Sequence, residues 1–574
     1  MTLSIIAVAA VTLGTVGIGM WGVRFARTTS DLYVASRAIS PWWNAAAVSG
    51  EYLSAASFLG IAGLEMQIGV AALWQAVGFA AGYLALLLFV AAPLRRFGSY
   101  TLPDFAEGRL ASASLRRLAV VAVLAIDGFY LVPQLKGAGI AFGEVMGAPY
   151  WAGIVVVGVV VSLYVALGGM RGVSYVQAFQ FWVKTVTIAL PAIVLLIYLG
   201  GIPNHRAVFG DELPHAPRSG MTVVLHQPEL VRFPSATRFQ LDGHDEYARS
   251  GEEIRLSSGQ ISLPPGAAIP LPSGTPAQTG SEWARPVTSR GEGSPLYIYS
   301  LLLATFLGTM GLPHILVRFY TNPDGPAARR TTVRVLALLA LFYLFPAVYG
   351  ALGRALAPSL YVTGQTDTVV LTLPAIAWPG TGGQILGAMT AAGAFAAFMS
   401  TSSGLLISIA GTISHDVWGQ GRRASMGVRR RRFRIVAALG MALPALLALA
   451  ARTVDISIMV GWAFALAAST FCPLFLLGIW WTRLTSEGAA AGIIIGGLLA
   501  VGAILVGALV GAQSAGGAVN ALLTQPAIIT VPVSFAAMIV VSLATARPQD
   551  VSSQMLALHA PEGLGLEALE RARA

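Results

Sequence analysis

Cysteine, lysine and charge of either sign are scarce in this chain. One cysteine, Cys472, in 574 residues excludes an internal disulfide framework and a cysteine-ligated metal cluster. Charged residues amount to 11%, against about 25% in an ordinary soluble domain. So few charges cannot cover a soluble surface, which excludes a disordered chain, a nucleic-acid binder and an ordinary soluble enzyme. Lysine is nearly missing: Lys136 and Lys184 stand beside 34 arginines and 26 acids, for a net charge of +10.

What fills the chain is apolar. Hydrophobic residues reach 56%, the composition of a polytopic protein in a lipid bilayer. About thirteen stretches are long enough to span, near 3–22, 42–68, 71–92, 116–146, 150–168, 175–200, 296–317, 335–353, 385–411, 434–451, 455–479, 487–510 and 525–546. Crossing roughly 30 Å of hydrocarbon takes about 20 residues at 1.5 Å rise. Backbone groups cannot stay unpaired in lipid, so these stretches are predicted to be helices. The first has no basic start and exceeds a signal-peptide core, and Trp21 with Arg24 reads as an interface anchor, so it counts as a helix.

The arginines orient the helices. With the N-terminus outside, the inside loops collect Arg24, Arg27 and Arg37, then Arg95, Arg96, Arg109, Arg116 and Arg117, then Arg171, Arg318, Arg329, Arg330 and Arg334, the cluster Arg422 to Arg434, and Arg483. The short outside loops keep only Arg354 and Arg452. Helices over 1–200, an insert over 201–295, helices over 296–546 and a tail over 547–574 on the inner side follow from this reading. The insert is polar and rich in Pro and Gly. Alternating runs at Thr222–His226 and Glu253–Leu256 predict a small external β-rich domain folded apart from the helices, with 263–276 as an extended tail. Its histidines, His205, His215, His226 and His244, match no metal-ligand spacing and read as surface residues.

Two spans are interrupted by polar or helix-breaking residues at mid-depth. One reads Val48-Ser-Gly-Glu-Tyr-Leu-Ser-Ala-Ala-Ser57, the other Gly308-Thr-Met-Gly-Leu-Pro-His314. Such segments are tolerated where backbone unwinds around a polar site, and breaks in matching places of two halves point to a secondary transporter's binding site. A Pro kink with close Gly packing is the plainer alternative. In a third span, Ala397, Ser400 and Thr401 fall at i, i+3 and i+4, on one helical face, within a run of four hydroxyls. Carbonyls and hydroxyls are hard oxygen ligands suited to Na⁺. Asp127, Lys136 and Lys184 lie deep in their spans, where charges seldom face lipid. Lys184 and Asp127 share a depth, so a pair across helices is one reading of them. Lys136 either attracts an anionic substrate or packs with its head snorkelling.

At these residues a resemblance becomes specific. The segments 308–321 (GTMGLPHILVRFYT), 396–418 (AAFMSTSSGLLISIAGTISHDVW), 50–63 (GEYLSAASFLGIAG) and 168–177 (GGMRGVSYVQ) resemble the sodium:solute symporter family. The segment 50–63 is most similar to its acetate and monocarboxylate permease branch. The likeness spans roughly 30–480 without the insert, and it implies an all-α membrane fold of LeuT-type inverted five-helix repeats. Carried over by position, it implies a Na⁺ site from the main-chain carbonyls of Gly50, Leu53 and Ala397 and the hydroxyls of Ser400 and Thr401. Substrate contacts would fall on Ser54, Ser57, Thr305, Thr309 and Pro313, with Trp74 and Gln75 on the next span. Several relatives carry bulky aromatics where Thr305 and Thr309 stand, which implies a small substrate or one held by hydroxyls. Gln177 stands where many relatives have an aspartate tied to a further sodium site, so one sodium site is expected. Where some relatives have an aspartate this chain has Tyr52, and the acid is Glu51. Glu51 biases the site toward cations, carries a proton, or is a structural acid bonded to free backbone amides.

The expectation is a symporter of the bacterial plasma membrane, coupling Na⁺, with H⁺ as the other coupling ion, to a small monocarboxylate such as acetate, pyruvate or propionate. A symporter for another small solute such as an amino acid is the rival within transport. A solute sensor signalling through a partner is the rival outside it, although only a short tail follows the last span. A membrane enzyme is disfavoured, because the spans hold no nucleophile–base pair and His314 is the one histidine placed within them.

Overall fold

The computed structural model describes residues 2–22, 24, 28–35, 39–225, 228–273, 275–288, 294–418, 425–452, 454–510, 517–548 and 551–560. Arg27, Arg37, His226, Arg422, Arg423 and the end of the tail lie outside the described residues. Eleven helical stretches are long and apolar enough to cross a membrane among the described residues. Two of them are broken at a glycine of positive φ. Tyr150–Leu199 has 50 residues, or about 75 Å at helical rise, more than twice the hydrocarbon thickness. It is broken at Gly169 (φ 58°, ψ −166°), a backbone region essentially open only to glycine. The stretch Ala56–Phe89 is broken at Gly69 (φ 78°, ψ −159°) and resumes as Leu73–Phe89. These breaks fall where the hydropathy separates 150–168 from 175–200 and 42–68 from 71–92.

Both interrupted spans unwind at the expected residues. Helix Pro41–Tyr52 stops at Leu53, and the chain resumes through one wide turn, Ala56–Gly60, into Ile61–Ile68. Helix Pro295–Thr309 stops at Met310, and Pro313 opens a short turn that tightens into Val317–Thr321. Pro313 has no amide hydrogen to donate, so the ladder ends there by composition. Gly311 also lets the break press on its neighbour, since a Cβ there would stand 2.3 Å from the Ala467 carbonyl oxygen. The hydroxyl-rich helix Thr381–Gly411 runs unbroken through the interior, its apolar window wholly buried.

Among its described residues the insert carries seven strands, β1 (Met221–Leu225), β2 (Glu229–Arg232), β3 (Thr237–Leu241), β4 (His244–Ala248), β5 (Glu253–Leu256), β6 (Gly259–Leu263) and β7 (Leu271–Pro272). They form two antiparallel sheets, ordered β1-β6-β3-β4 and β5-β2-β7. Two expectations are corrected here. The segment 263–276 is not a tail, because Leu271 and Pro272 pair with Arg232 and Val231. Nor is the insert folded apart. Trp283 is buried to 1% exposure, and its indole N–H donates to the Glu65 carbonyl at 2.8 Å, close to the Gly69 break. The Arg354 guanidinium lies 5.3 Å from the Trp283 ring and donates to the Gln278 carbonyl at 2.8 Å. One buried tryptophan in a polar segment is a weak sequence signal, yet it is enough to dock the segment on the helices.

Trp283→Ala should therefore loosen the insert, at a cost of about 3–5 kcal/mol for a truncated buried aromatic. Limited trypsin digestion of the purified variant should cut the insert at its arginines many times faster than in the parent chain, with helical circular dichroism unchanged. Equal cutting rates would mean that Trp283 does not hold the insert down.

Candidate functional site

The broken helix Pro41–Tyr52 and the helix Thr381–Gly411 meet at mid-chain polar residues. The Ser400 hydroxyl donates to the Gly50 carbonyl at 2.5 Å, and the Thr401 hydroxyl donates to the Glu51 carbonyl at 2.5 Å. The Ala397 carbonyl is 3.3 Å from the Ser400 hydroxyl. Leu53 ends the helix with its amide on the Ser49 carbonyl. All five residues assigned by resemblance to the cation site are thus in one place. They are not alone. The Lys184 ammonium, from helix Tyr150–Leu199, donates to the Gly50 carbonyl at 2.5 Å, the Leu53 carbonyl at 2.6 Å and the Ser400 hydroxyl at 2.7 Å. The Lys184–Asp127 pair that their shared depth allowed does not form. Asp127 bonds His314 Nδ1 at 2.9 Å instead. Equal depth did not suffice, because the two side chains face different neighbours.

Glu51 is a paired acid. Its Oε2 accepts from Arg318 Nε, and Arg318 also donates to the Ser174 hydroxyl at 2.7 Å and to the Gln177 carboxamide oxygen. Gln177 in turn donates to the Ser400 carbonyl at 2.9 Å and the Ser403 hydroxyl at 3.1 Å. A neutral amide at 177 can both accept from the guanidinium and donate to the hydroxyl helix; a carboxylate could only accept. Glycine at 404 makes room for the pair, since a Cβ there would stand 1.9 Å from Glu51 Oε1. Arg318 belonged to the motif that carried the resemblance, but nothing in the linear sequence tied it to Glu51.

The residues expected to touch substrate divide into two groups. Ser54, Ser57, Thr305, Thr309 and Pro313 are all buried around the two breaks. The Ser57 hydroxyl bonds the Tyr343 hydroxyl at 3.0 Å, and the Thr309 hydroxyl bonds the Tyr52 hydroxyl at 2.8 Å. The Tyr52 ring packs edge-on against Tyr83 (centroids 4.7 Å apart) and Phe79 (5.6 Å). Tyr83, Phe79 and Tyr343 were not singled out from sequence, where they look like ordinary core. Trp74 lies elsewhere, while Gln75 reaches Ser457, which packs against Gly60 of the first break. Trp74 donates to the Pro286 carbonyl of the insert at 2.8 Å, and Gln75 donates to the Ser457 carbonyl at 3.2 Å. Gly69 sits five residues before Trp74, and the turn there directs the start of the next helix to the insert rather than to the breaks.

Lys136 lines a separate polar cavity of about 650 Å3, together with Asp367, Asp455, Arg452, Tyr150 and the insert's Glu229. Its ammonium donates to the Val454 carbonyl and stands 3.9 Å from Asp367 Oδ2. The positive charge is therefore largely offset. A second charged cluster joins Arg116 to Asp104 at 2.7 Å, Glu107 at 2.6 Å and Asp416 at 2.5 Å, with His415 on Asp104 at 3.0 Å. Asp104, His415 and Asp416 have the spacing of a metal site, but the Arg116 guanidinium already occupies their common centre of charge. Burial pushes the Asp104 carboxyl up, but the His415 hydrogen bond and the charges of His415 and Arg116 outweigh it and hold Asp104 below the usual carboxylate range.

Comparison with known proteins agrees with this geometry. The sequence profile of the sodium:solute symporter family matches residues 32–209 and 275–496, leaving out the segment that holds the strands. A protein named as an uncharacterized symporter, YwcA of Bacillus subtilis (strain 168), is 29% identical over 517 residues, 89% of this chain and 88% of that protein. A monocarboxylic acid transporter of Corynebacterium glutamicum is 28% identical over 531 residues, 90% of this chain and 87% of its own length. Among solved structures, a Na⁺-coupled sialic acid symporter in a substrate-bound outward-open state has a TM-score of 0.67 at 14% identity, covering 95% of this chain and 98% of that one. The nucleobase-cation-symport-1 transporter Mhp1, in a closed conformation, has a TM-score of 0.52 at 10% identity, covering 92% and 99%. The fold is thus the LeuT-type one, and the two named relatives are bacterial proteins, in keeping with a multi-pass protein of the bacterial plasma membrane. With its profile matched on both sides of the insert, this chain belongs to the sodium:solute symporter family, and it is a transporter rather than an enzyme.

Proposed function

We propose that this chain takes up a small monocarboxylate, such as acetate, pyruvate or propionate, by cation-coupled symport with alternating access. The observation that carries the substrate is the similarity to the monocarboxylic acid transporter along about nine-tenths of both chains. The site's chemistry agrees. The breaks present the hydroxyls of Ser54, Ser57, Tyr343, Thr309 and Tyr52, and the one buried guanidinium beside them, Arg318, is already bonded to Glu51. A carboxylate entering there would be held by hydroxyl donors rather than by a free positive charge. We assign the substrate to Ser54, Ser57, Thr305, Thr309 and Pro313; the cluster of Gly50, Leu53, Ala397, Ser400 and Thr401, which the resemblance gives to sodium, stands beside it with the Lys184 ammonium among its oxygens. Thirteen crossings with the N-terminus and the insert outside and the tail inside complete the reading, on the strength of the arginine distribution.

Proteoliposomes holding the purified chain should accumulate radiolabelled acetate, and a tenfold excess of unlabelled pyruvate or propionate should compete. Competition by an amino acid without competition by these acids would replace the monocarboxylate with that solute. Ser57→Ala removes one hydroxyl donor, and its apparent KM for the competing acid should rise about five- to twentyfold, the equivalent of about 1–2 kcal/mol.

The orientation has its own test. Cys472 is buried, so an impermeant maleimide has no background target. Ser250 is exposed on the insert, and intact cells carrying Ser250→Cys should be labelled from outside. Labelling that appears only after permeabilisation would reverse the topology.

A further inference from the structure

The cation cluster contains a cation that belongs to the protein. Lys184 is wholly buried, and its ammonium has three N–H donors and no acceptor. All three are used, on the Gly50 carbonyl (2.5 Å), the Leu53 carbonyl (2.6 Å) and the Ser400 hydroxyl (2.7 Å). Those are three of the five oxygens that the family resemblance assigns to sodium. Of the remaining two groups, the Thr401 hydroxyl donates to the Glu51 carbonyl, and the Ala397 carbonyl lies 3.3 Å from the Ser400 hydroxyl. Every partner of the ammonium is a neutral oxygen, as sodium's ligands would be. Among the described residues no carboxylate bonds it. Glu51, the acid whose field reaches Lys184, is engaged by Arg318, and Asp127 is engaged by His314. Sodium held by the same three oxygens would have to stand in contact with the Lys184 nitrogen, one cation against another with no acid between them.

We propose that Lys184 supplies a tethered cation that fills this site, so that the chain does not bind sodium between the Gly50–Leu53 break and Ser400. The inference rests on the transporter reading but not on the identity of the solute. It separates this chain from the coupling that its family resemblance implies at these positions. Lysine is almost absent from the sequence, and one of its two copies is placed where a site for a free ion is expected.

The test is radiosodium binding to the full-length purified protein in lipid nanodiscs, at fixed pH and without any solute. The parent chain should show no sodium binding that Ser400→Ala weakens. Lys184→Ala should gain binding, and the Lys184→Ala/Ser400→Ala double variant should lose at least tenfold of that gain. Binding by the parent chain that Ser400→Ala weakens tenfold or more would overturn the proposal. So would a folded Lys184→Ala that binds no sodium, since the oxygens would then form no cation site at all. Lys184→Met serves as the second variant if Lys184→Ala does not fold, and the parent-versus-Ser400→Ala comparison decides by itself if neither does. Because no solute is present, an error in the substrate leaves this result intact and shows up only in the uptake competition.

Discussion

A carbonyl oxygen without a partner costs several kcal/mol inside a bilayer, and the end of helix Pro41–Tyr52 frees a run of them in the interior. Much of the molecule is arranged around that constraint. Ser400 and Lys184 meet the Gly50 carbonyl, Thr401 meets the Glu51 carbonyl, and Lys184 meets the Leu53 carbonyl. The donors come from two other elements, so the break joins three parts of the chain that lie 131 to 350 positions apart. Unwinding supplies oxygens for a cation, and the same oxygens must be satisfied for the fold to persist. Structure and site are therefore one set of hydrogen bonds.

The Glu51–Arg318 pair works on the same principle at higher stakes. Removing one partner of a buried pair leaves an uncompensated charge and typically costs about 3–5 kcal/mol. Here Arg318 follows the second break and Glu51 precedes the first, so the pair fastens one broken helix to the other. Gln177 passes the connection on to Ser400 and Ser403. A movement that opened either break would have to carry this network with it, which is the kind of coupling between halves that alternating access requires.

The insert illustrates a different economy. Its strands pair among themselves in two small sheets, and it reaches the helices chiefly through Trp283 and the segment around it. Glu229 and Pro272 of the insert also line the cavity that contains Lys136 and Asp367. In the proposed orientation that cavity lies on the outer side, between the insert and the helices. The family profile skips the strands, so this wall of the cavity is particular to this chain and the relatives that share it.

The membrane class, the helical spans, the two breaks and the hydroxyl face of Ala397, Ser400 and Thr401 were legible in the linear sequence. Each depends on local physics: about 20 apolar residues to cross, proline and glycine to end a helix, and an i, i+3, i+4 spacing to share a face. Breaks at Gly69 and Gly169 were legible in the same way, as gaps in hydropathy. What Lys184, Glu51, Asp127 and Trp74 touch was not legible. Depth along a helix places a charge within the bilayer, but its partner is set by the rotation and packing of the helices, which no periodicity records. Lys184 and Asp127 share a depth and still face apart. Arg318 lies 267 positions from the acid it binds, and Trp74 turns to the insert because of a glycine five residues earlier. Tertiary packing alone decided that the oxygens read as a sodium site would close on a lysine, because only packing brings the Tyr150–Leu199 helix against the Gly50–Leu53 break.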